Sequence, residues 1–419
     1  MIANLPAPSA EAAAASVALT DLITREIKTH GWISFARYME LALYAPGLGY
    51  YAGGAHKFGD ASSGGDFLTA PELTPLFGQA LARQVAPVLA ASKPYVIEAG
   101  AGSGRLAADL LLALDALGHA PEHYAILELS GELRARQAAT LARHAPQFLD
   151  RVHWLDTLPE TFSGCLIGNE VLDAMPTHTV CWRENGLFER GVALAENTSG
   201  EQLTFAERPA SQALIDAAKI LPVAAPYRSE ISLAVRAWVA ELAQRLGQGA
   251  MILLDYGLPR RELYHPQRDG GTVRCHYRHR VHDDPFWYPG LSDITSHVDF
   301  TAVAEAGFDA GLSVLGYTSQ AQFLINCGMG ELLQKNGEEK VGDGETATDA
   351  TGMQSSVDLR ADLRADSRAN LRTNLRTTGA VSVLLSPNEM GELFKVIALG
   401  RNMPQPLLGF TRGDRVHAL

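Results

Sequence analysis

A glycine-rich turn in the first third of the chain has the residue types of a nucleoside-binding loop. Glu98-Ala-Gly100-Ala-Gly102-Ser-Gly104 separates a predicted strand from a predicted helix, and glycine lets the backbone pass close to a ligand. The dinucleotide pattern G-x-G-x-x-G is not met, because the third glycine comes one residue early and Arg105 takes its place. Glu98 would repel a pyrophosphate but suits a cationic sulfonium with an α-amino group. The spacing therefore favours S-adenosylmethionine (SAM) over a nicotinamide dinucleotide, and the alternative is a purely structural turn.

A second carboxylate, Glu128, ends the next predicted strand, 24 residues after Gly104. In that position a carboxylate accepts hydrogen bonds from both ribose hydroxyls, a geometry shared by NAD and SAM sites. Asp156, which follows the third predicted strand, is a further predicted cofactor-binding residue.

An amide and two carboxylates follow the fourth predicted strand, in Asn169-Glu170-Val-Leu-Asp173-Ala-Met-Pro176. We predict that Asn169 binds cofactor and faces the transferred methyl group, while Glu170 and Asp173 hold a cationic acceptor. Their spacing of three residues predicts that both side chains lie on one side of a helical turn. The alternative is structural, with Asp173 as a turn cap and Glu170 in a salt bridge. His178 and His279 are the next candidates for holding the acceptor and accepting its proton, and the alternative for each is a structural role.

The elements that must position these residues alternate between short apolar runs and amphipathic stretches. This alternation predicts an α/β fold with a mostly parallel sheet and flanking helices. The predicted strands are Pro94 to Glu98, Tyr124 to Leu129, Val152 to Leu155, Cys165 to Asn169 and Ala250 to Tyr256.

The chain divides into four predicted segments. Residues 1–90 form an accessory segment, and residues 91–336 form the ligand-binding domain, with an insertion at about 177–248 that contains an Asn185-Gly186 hairpin signal. Residues 337–378 are a polar low-complexity insertion, predicted to be disordered or loosely helical, and residues 379–419 complete the domain. In this insertion Arg360, Arg364, Arg368, Arg372 and Arg376 recur every fourth residue, and the alternative for the repeat is a functional basic arm.

Composition excludes several classes of function. The 419 residues carry 35 basic and 47 acidic side chains, a formal charge of −12, which argues against nucleic-acid binding. The four cysteines have no metal-ligand spacing, so we predict buried reduced thiols and no metal. No apolar run approaches the roughly 20 residues of a membrane span. With no Lys or Arg before Arg25, import signals are not indicated, and a cytoplasmic location is expected.

Many short blocks along the chain together resemble the MidA-type SAM-dependent methyltransferases, and they cover most of residues 30–400. The matching blocks are Tyr38-Met39, Leu43-Tyr44-Ala-Pro46, Gly49-Tyr50-Tyr51, Gly65-Asp66-Phe67-Leu-Thr69-Ala-Pro71-Glu72, Phe77-Gly78, Glu98 to Gly104, Asn169 to Pro176, Asp255-Tyr256-Gly257, His279, His282-Asp283, Asp293-Ile-Thr295, His297-Val-Asp299-Phe300, Pro387 and Met390-Gly391-Glu-Leu-Phe394. The arginine repeat has no counterpart in this pattern.

The resemblance implies a class I, Rossmann-like methyltransferase fold with SAM as methyl donor, and Gly65, Asp66 and Phe67 folding over the cofactor. Mitochondrial members of the family methylate an arginine of a respiratory complex I subunit and assist its assembly, so the resemblance implies a protein substrate with an arginine acceptor. Two alternatives stay open: a catalytically silent assembly or scaffold protein on the same fold, and a nicotinamide-dependent oxidoreductase. The sequence leaves the oligomeric state open, a homodimer included.

Overall fold

The computed structural model describes residues 5–53, 69–197, 200–342 and 375–419, and the elements named below belong to these ranges. The strands are β1 (Ile33–Ser34), β2 (Tyr95–Ala99), β3 (His123–Leu127), β4 (Val152–Leu155), β5 (Phe162–Asn169), β6 (His178–Arg183), β7 (Gly186–Asn197), β8 (Gly200–Pro209), β9 (Tyr227–Ile231), β10 (Leu246–Leu258), β11 (Arg274–Tyr277), β12 (Arg280–His282), β13 (Asp293–Thr295), β14 (Val298–Asp299), β15 (Ser313–Ser319) and β16 (Phe394–Arg401). The helices are α1 (Ala10–His30), α2 (Phe35–Tyr44), α3 (Ala70–Leu73), α4 (Pro75–Ala91), α5 (Arg105–Ala116), α6 (Gly131–His144), α7 (Gln212–Ala218), α8 (Leu233–Arg245), α9 (Arg260–Leu263), α10 (Phe300–Asp309), α11 (Gln320–Asn326), α12 (Met329–Gly342), α13 (375–385) and α14 (Met390–Leu393).

A large mixed sheet forms the centre of the fold, in the order β4-β3-β2-β5-β10-β16-β15, with β14 pairing beside the end of β10. Neighbouring strands are parallel from β4 to β10, and β16 runs antiparallel to both of its neighbours. The central strands of this large sheet are apolar because helices cover both of its faces. The predicted α/β fold with a mostly parallel sheet is confirmed.

Two apolar clusters cover the faces of this sheet. Phe77 and Val85 of α4 pack with Leu106 and Leu110 of α5 in the first cluster. The second joins α8 and α10 to the opposite face through side chains such as Val239 and Phe300. Val381 and Leu384 of α13 also belong to the first cluster, so the chain that follows the arginine repeat rejoins the main core.

A smaller antiparallel sheet has the order β1-β7-β6-β9, with β8 paired to β7. Helices α1 and α2 pack on it through Leu19, Ile23, Phe35 and Met39, which cluster with Val192 of β7. The predicted hairpin at Asn185-Gly186 is confirmed, although its turn lies one residue earlier, because Gly186 already pairs with Arg183. A third sheet, in the order β12-β11-β13, stands beside the carboxyl end of β10.

The ends of the predicted low-complexity insertion are helical, since α12 continues to Gly342 and α13 begins at residue 375. Its centre, residues 343–374 with Arg360 to Arg372, lies outside the described residues. The predicted segment boundaries stay predictions. All four cysteines are free and buried, as predicted. Across the described ranges, every helix is too short or too polar to span a bilayer.

Candidate active site

A cavity of about 850 Å³ opens at the carboxyl ends of β2, β3, β5 and β10. Open α/β sheets bind ligands at this edge. The cavity brings together predicted residues from three separate segments, namely Glu98, Gly100, Gly102, Glu128, Asn169, Glu170 and Asp173. It is therefore the candidate active site.

The glycine turn between β2 and α5 depends on left-handed backbone at each of its three glycines. Gly100, Gly102 and Gly104 have φ values of 65°, 53° and 83°. A Cβ on Gly104 would lie 2.9 Å from the Cα of Gln137 in α6, so only glycine lets α5 and α6 approach this closely. Gly104 therefore allows the close contact between the turn and α6, whereas Gly100 and Gly102 line the cavity.

Glu128 stands at the end of β3 with its carboxylate held by two donors. One oxygen accepts the backbone N–H of Ser130 at 2.9 Å, and the other accepts the side-chain amide of Gln137 at 3.1 Å. The same amide donates to the carbonyl of Gly102 at 3.1 Å. Gln137 thus fixes the Glu128 carboxylate, the predicted ribose-binding group, relative to the glycine turn. Nothing in the sequence pattern indicated this connection.

Glu98 is the last acidic group before the turn and is 2% exposed. Its carboxylate accepts a hydrogen bond from the Tyr124 hydroxyl at 2.7 Å. Burial raises the pKa of Glu98 to about 7, although the bond from Tyr124 acts in the opposite direction. A cationic ligand group beside it would favour the ionised form, which agrees with the predicted role at the methionine end of the cofactor.

Some predicted residues are not brought into the cavity. Asp156 follows β4 at the margin of the sheet, its side chain is 87% exposed, and it pairs with Arg134 at 2.7 Å. His178 bonds Glu189 at 2.6 Å in the smaller sheet, and His279 lies at the exposed tip of the β11–β12 hairpin. Neither histidine lines the cavity wall. The structure therefore does not bring these two lower-ranked candidates to the acceptor carboxylates.

The motif that begins at Gly65 is only partly described. Gly65, Asp66 and Phe67 lie outside the described residues, so their predicted cofactor role stays a prediction. Thr69, Pro71 and Glu72, from the same motif, line the cavity. Glu72 also accepts a hydrogen bond from Ser103 of the glycine turn, which ties this segment to the cofactor side of the cavity.

The acceptor side of the cavity begins with Asn169 and Glu170. The Asn169 amide donates to Glu170 Oε1 at 3.1 Å. Burial, followed by the charge of Asp173, raises the pKa of Glu170 to about 8. Glu170 has a φ of 53° and is followed by bends and a turn, so the predicted helical turn over Glu170 to Asp173 is wrong.

Asp255, at the carboxyl half of β10, is the residue that the sequence interpretation missed. One of its oxygens accepts the backbone N–H groups of Val171, Leu172 and Asp173 at 3.1, 2.8 and 3.3 Å. Asp255 is fully buried, and burial together with the charges of Asp173 and Glu170 raises its pKa well above the usual range. The available signal was an acidic residue directly after the apolar run Met251 to Leu254.

Asp173 is 4% exposed and lines the cavity. Burial raises its pKa to about 6, against the hydrogen bond from the Tyr256 hydroxyl. In the described part of the chain, Oδ1 of Asp173 and Oδ1 of Asn169 are buried without a hydrogen-bond partner. Two buried acceptors without donors indicate a ligand rich in N–H groups.

The opposite wall contains a second group of polar and aromatic side chains. The Tyr51 hydroxyl donates to Asp293 at 2.9 Å, and Tyr44 stacks on Tyr51 with ring centroids 5.5 Å apart. His276 and His297 also line the cavity. Within the described ranges, no group of three or more His, Cys, Asp or Glu side chains is arranged to hold a metal ion.

The residues present fit SAM. The left-handed glycine turn leaves space against the cavity, the Glu128 carboxylate is oriented for a ribose, and buried Glu98 suits an amino group. The cavity also extends beyond this cofactor side to Glu170, Asp173 and Asp293, which leaves room for an acceptor.

Comparison with known proteins supports this fit. A family model described as "Putative S-adenosyl-L-methionine-dependent methyltransferase" matches residues 80–318. The protein arginine methyltransferase NDUFAF7, mitochondrial, of Danio rerio is 30% identical over 347 residues, which cover 75% of this chain and 78% of that protein. The Homo sapiens protein of the same name is 28% identical over 351 residues, which cover 75% of each chain.

A solved structure from Burkholderia thailandensis bound to S-adenosyl-homocysteine is 47% identical to this chain. It has a TM-score of 0.88, and the match covers 99% of this chain and 100% of that one. A second structure of a Burkholderia thailandensis protein is 46% identical with a TM-score of 0.84. The family model covers more than half of the chain, and a curated relative is 30% identical over most of it. The chain therefore belongs to the MidA-type SAM-dependent methyltransferases, with a class I fold and SAM as its cofactor.

Proposed function

We propose that this methyltransferase transfers the methyl group to an arginine side chain of a protein substrate. The observation that carries the proposal is the pair Glu170 and Asp173 on the wall of one cavity, with no Lys or Arg of the described residues paired to either carboxylate. Burial raises the pKa of both groups, and the charge of Asp173 raises that of Glu170 further. A cationic acceptor relieves this repulsion, whereas a neutral hydroxyl or an anionic acceptor does not.

The guanidinium group matches this wall in donors as well as in charge. It offers five N–H donors in a planar fork, and carboxylates bind it in a bidentate manner. The buried oxygens of Asn169 and Asp173 without partners in the described part of the chain are acceptors for such donors. The names of the NDUFAF7 relatives, which are protein arginine methyltransferases, support the same acceptor class.

The chain's own residues have to orient the acceptor and remove a proton. SAM, when bound, supplies a methyl group activated on its sulfonium sulfur, with Glu128, Glu98 and the glycine turn as the residues that would hold it. Guanidinium stays protonated near neutral pH because its pKa exceeds about 12. Glu170 and Asp173 therefore hold the cation, direct one nitrogen to the reacting carbon, and accept the proton that this nitrogen releases.

The test is methyl transfer from labelled SAM to the proteins of a cell lysate, followed by mass-spectrometric mapping of the labelled residue. We expect label on arginine in reactions that contain the protein, and not in reactions without it. Label confined to lysine, to a carboxyl group or to small molecules would contradict the arginine proposal. Absence of any label above the control would favour the silent assembly protein.

A further inference from the structure

A second, small cavity of about 40 Å³ borders the loop that carries Glu170 and Asp173. Leu172 and Thr177 of this loop form part of its wall, and Arg260 and His297 form another part. His297 also lines the large cavity, so its imidazole stands between the two spaces. A buried cavity accommodates a water molecule when it offers about 10–15 Å³ and two to four polar partners. The small cavity satisfies the volume requirement.

The polar partners are present as well. Thr177 Oγ1, Arg260 Nε and His297 Nδ1 are all buried without a hydrogen-bond partner in the part of the chain that the structure describes. The carboxylate of Asp299 is 3.5 Å from Arg260 Nε, which is too long for a good hydrogen bond. Three unsatisfied polar atoms on residues of one small cavity are unusual, because buried polar groups are normally paired with protein or with water.

We propose that this cavity holds one ordered water molecule, which accepts a hydrogen bond from Arg260 Nε–H, donates to His297 Nδ1 and bonds the Thr177 hydroxyl. A water molecule has two donors and two acceptor positions, so these three bonds satisfy all three protein atoms. Because Nδ1 of His297 is then an acceptor, the neutral imidazole carries its proton on Nε2. The bound water thereby selects one tautomer of His297.

The charges around His297 agree with a neutral ring. Burial, then the positive charges of Arg268, Arg274 and Lys395, lowers the pKa of His297 to about 4. With Nδ1 enclosed and the ring only partly exposed on the wall of the large cavity, the Nε2–H group is a donor for the methyl-transfer site. The water thus holds the His297 ring from the side of the small cavity, and His297 acts as a positioning residue.

His297 is also mechanically connected to the acceptor loop. The backbone N–H of Ser296 donates to the carbonyl of Asp173 at 3.0 Å. The His297 ring packs edge-on against Tyr256 with centroids 5.6 Å apart, and the Tyr256 hydroxyl bonds the Asp173 carboxylate. The water site therefore acts on the same loop that carries the acceptor carboxylates, whatever the acceptor is.

A high-resolution crystal structure of the full chain with S-adenosyl-homocysteine tests the water site. We expect one water within about 2.7–3.2 Å of Thr177 Oγ1, Arg260 Nε and His297 Nδ1. A structure with this cavity empty, or with the three side chains bonded directly to one another, would overturn the proposal.

Nitrogen-15 NMR of histidine-labelled protein tests the tautomer, with Thr177→Val as the probe and Thr177→Ser as its matched control. Wild type and Thr177→Ser are expected to show His297 protonated on Nε2, whereas Thr177→Val shifts the ring resonances towards the other tautomer. An Nδ1-protonated ring in wild type, or identical spectra for Thr177→Val and wild type, would contradict the water-held ring. If Thr177→Val does not fold, the wild-type and Thr177→Ser spectra still decide the tautomer. No methyl acceptor is needed, so this result is separable from the arginine proposal.

Discussion

The backbone N–H of Leu172 donates to the Asp255 carboxylate at 2.8 Å, and so joins the loop after β5 to the carboxyl half of β10. The same oxygen accepts the N–H groups of Val171 and Asp173. Since β5 and β10 are parallel neighbours, their carboxyl ends meet at one edge of the sheet. The sheet itself therefore fixes the loop that carries Glu170 and Asp173.

Replacement of Asp255 by alanine is expected to lower the free energy of unfolding by several kcal/mol. It leaves three N–H groups without their acceptor, two of them buried and that of Val171 partly buried, and an unpaired buried donor costs about 1–3 kcal/mol. Asp255→Asn keeps one acceptor oxygen, so its free energy of unfolding should fall less. Urea unfolding with equal m-values measures the difference, and an alanine variant as stable as wild type would show that the loop is held in another way.

Glu128→Ala is expected to weaken SAM binding about ten- to a hundredfold. A hydrogen bond to a charged group contributes about 1.5–3 kcal/mol, and each 1.4 kcal/mol is about tenfold in affinity. Asp156→Ala is the matched control, because this carboxylate ends the neighbouring strand β4 but is exposed and paired with Arg134. Calorimetry on the folded variants should give wild-type affinity for the control. An equal loss of SAM affinity in both variants would show that Asp156 also binds the cofactor.

The cofactor side could be predicted from the sequence because it depends on local rules. Strands β2 and β3 are short apolar runs, and Glu98 and Glu128 stand at their carboxyl ends. In a parallel sheet these ends meet at one edge, so the predicted proximity follows from the strand pattern alone. Asp156 lies outside the cavity lining because β4 is the last strand of the sheet, where the carboxyl end faces solvent, so its cofactor role stays a prediction.

The acceptor side could be predicted in its residues but not in its backbone. Spacing suggested a helical turn, whereas Glu170 has left-handed backbone with a φ of 53°. The loop's conformation is set by Asp255, which is 82 residues further along the chain than Asp173. Contacts across such separations leave no periodic signal in the sequence. His178 and His279 lie away from the cavity for the same reason, because β6 and the β11–β12 hairpin place them by tertiary contacts.

Two glycine variants should separate backbone strain from crowding at the cofactor turn. Gly104 and Gly118 both have left-handed backbone, with φ values of 83° and 75°. A Cβ at Gly104 meets the Gln137 backbone at 2.9 Å, whereas one at Gly118 meets open space. Gly118→Ala is expected to cost about 1–2 kcal/mol from backbone strain, and Gly104→Ala about 1–3 kcal/mol more from overpacking.

Urea unfolding measures both glycine variants, and only Gly104→Ala should also weaken SAM binding. If the two variants lose the same stability, contact between the turn and α6 is not what restricts residue 104 to glycine.

The stability of the SAM-free protein is expected to fall as pH rises from about 5 to about 8. Burial raises the pKa of Glu98 to about 7 and that of Glu170 to about 8. In this window the folded protein binds more protons than the unfolded chain, so the free energy of unfolding decreases with pH. Melting curves should show a shallower decline for Glu170→Gln. A variant with the same slope as wild type would mean that Glu170 ionises normally.

We propose that Glu170 and Asp173 act on the acceptor and not on the cofactor. Charge-neutral Glu170→Gln and Asp173→Asn keep the shape of each side chain but remove the charge that holds a guanidinium. We expect both variants to bind SAM like wild type and to lose methyl transfer by a factor of about ten or more, since a hydrogen bond to a charged group contributes about 1.5–3 kcal/mol. Glu122→Gln, an exposed carboxylate before β3, is the control for loss of charge.

The most direct measurement is a single-turnover reaction, in which each protein is saturated with labelled SAM and mixed with the mapped acceptor. The proposed acceptor role of the two carboxylates predicts rapid transfer to an arginine by wild type and Glu122→Gln, and slow transfer by Glu170→Gln and Asp173→Asn at unchanged SAM affinity. Wild-type rates in both folded variants, or a loss explained entirely by weaker SAM binding, would contradict it.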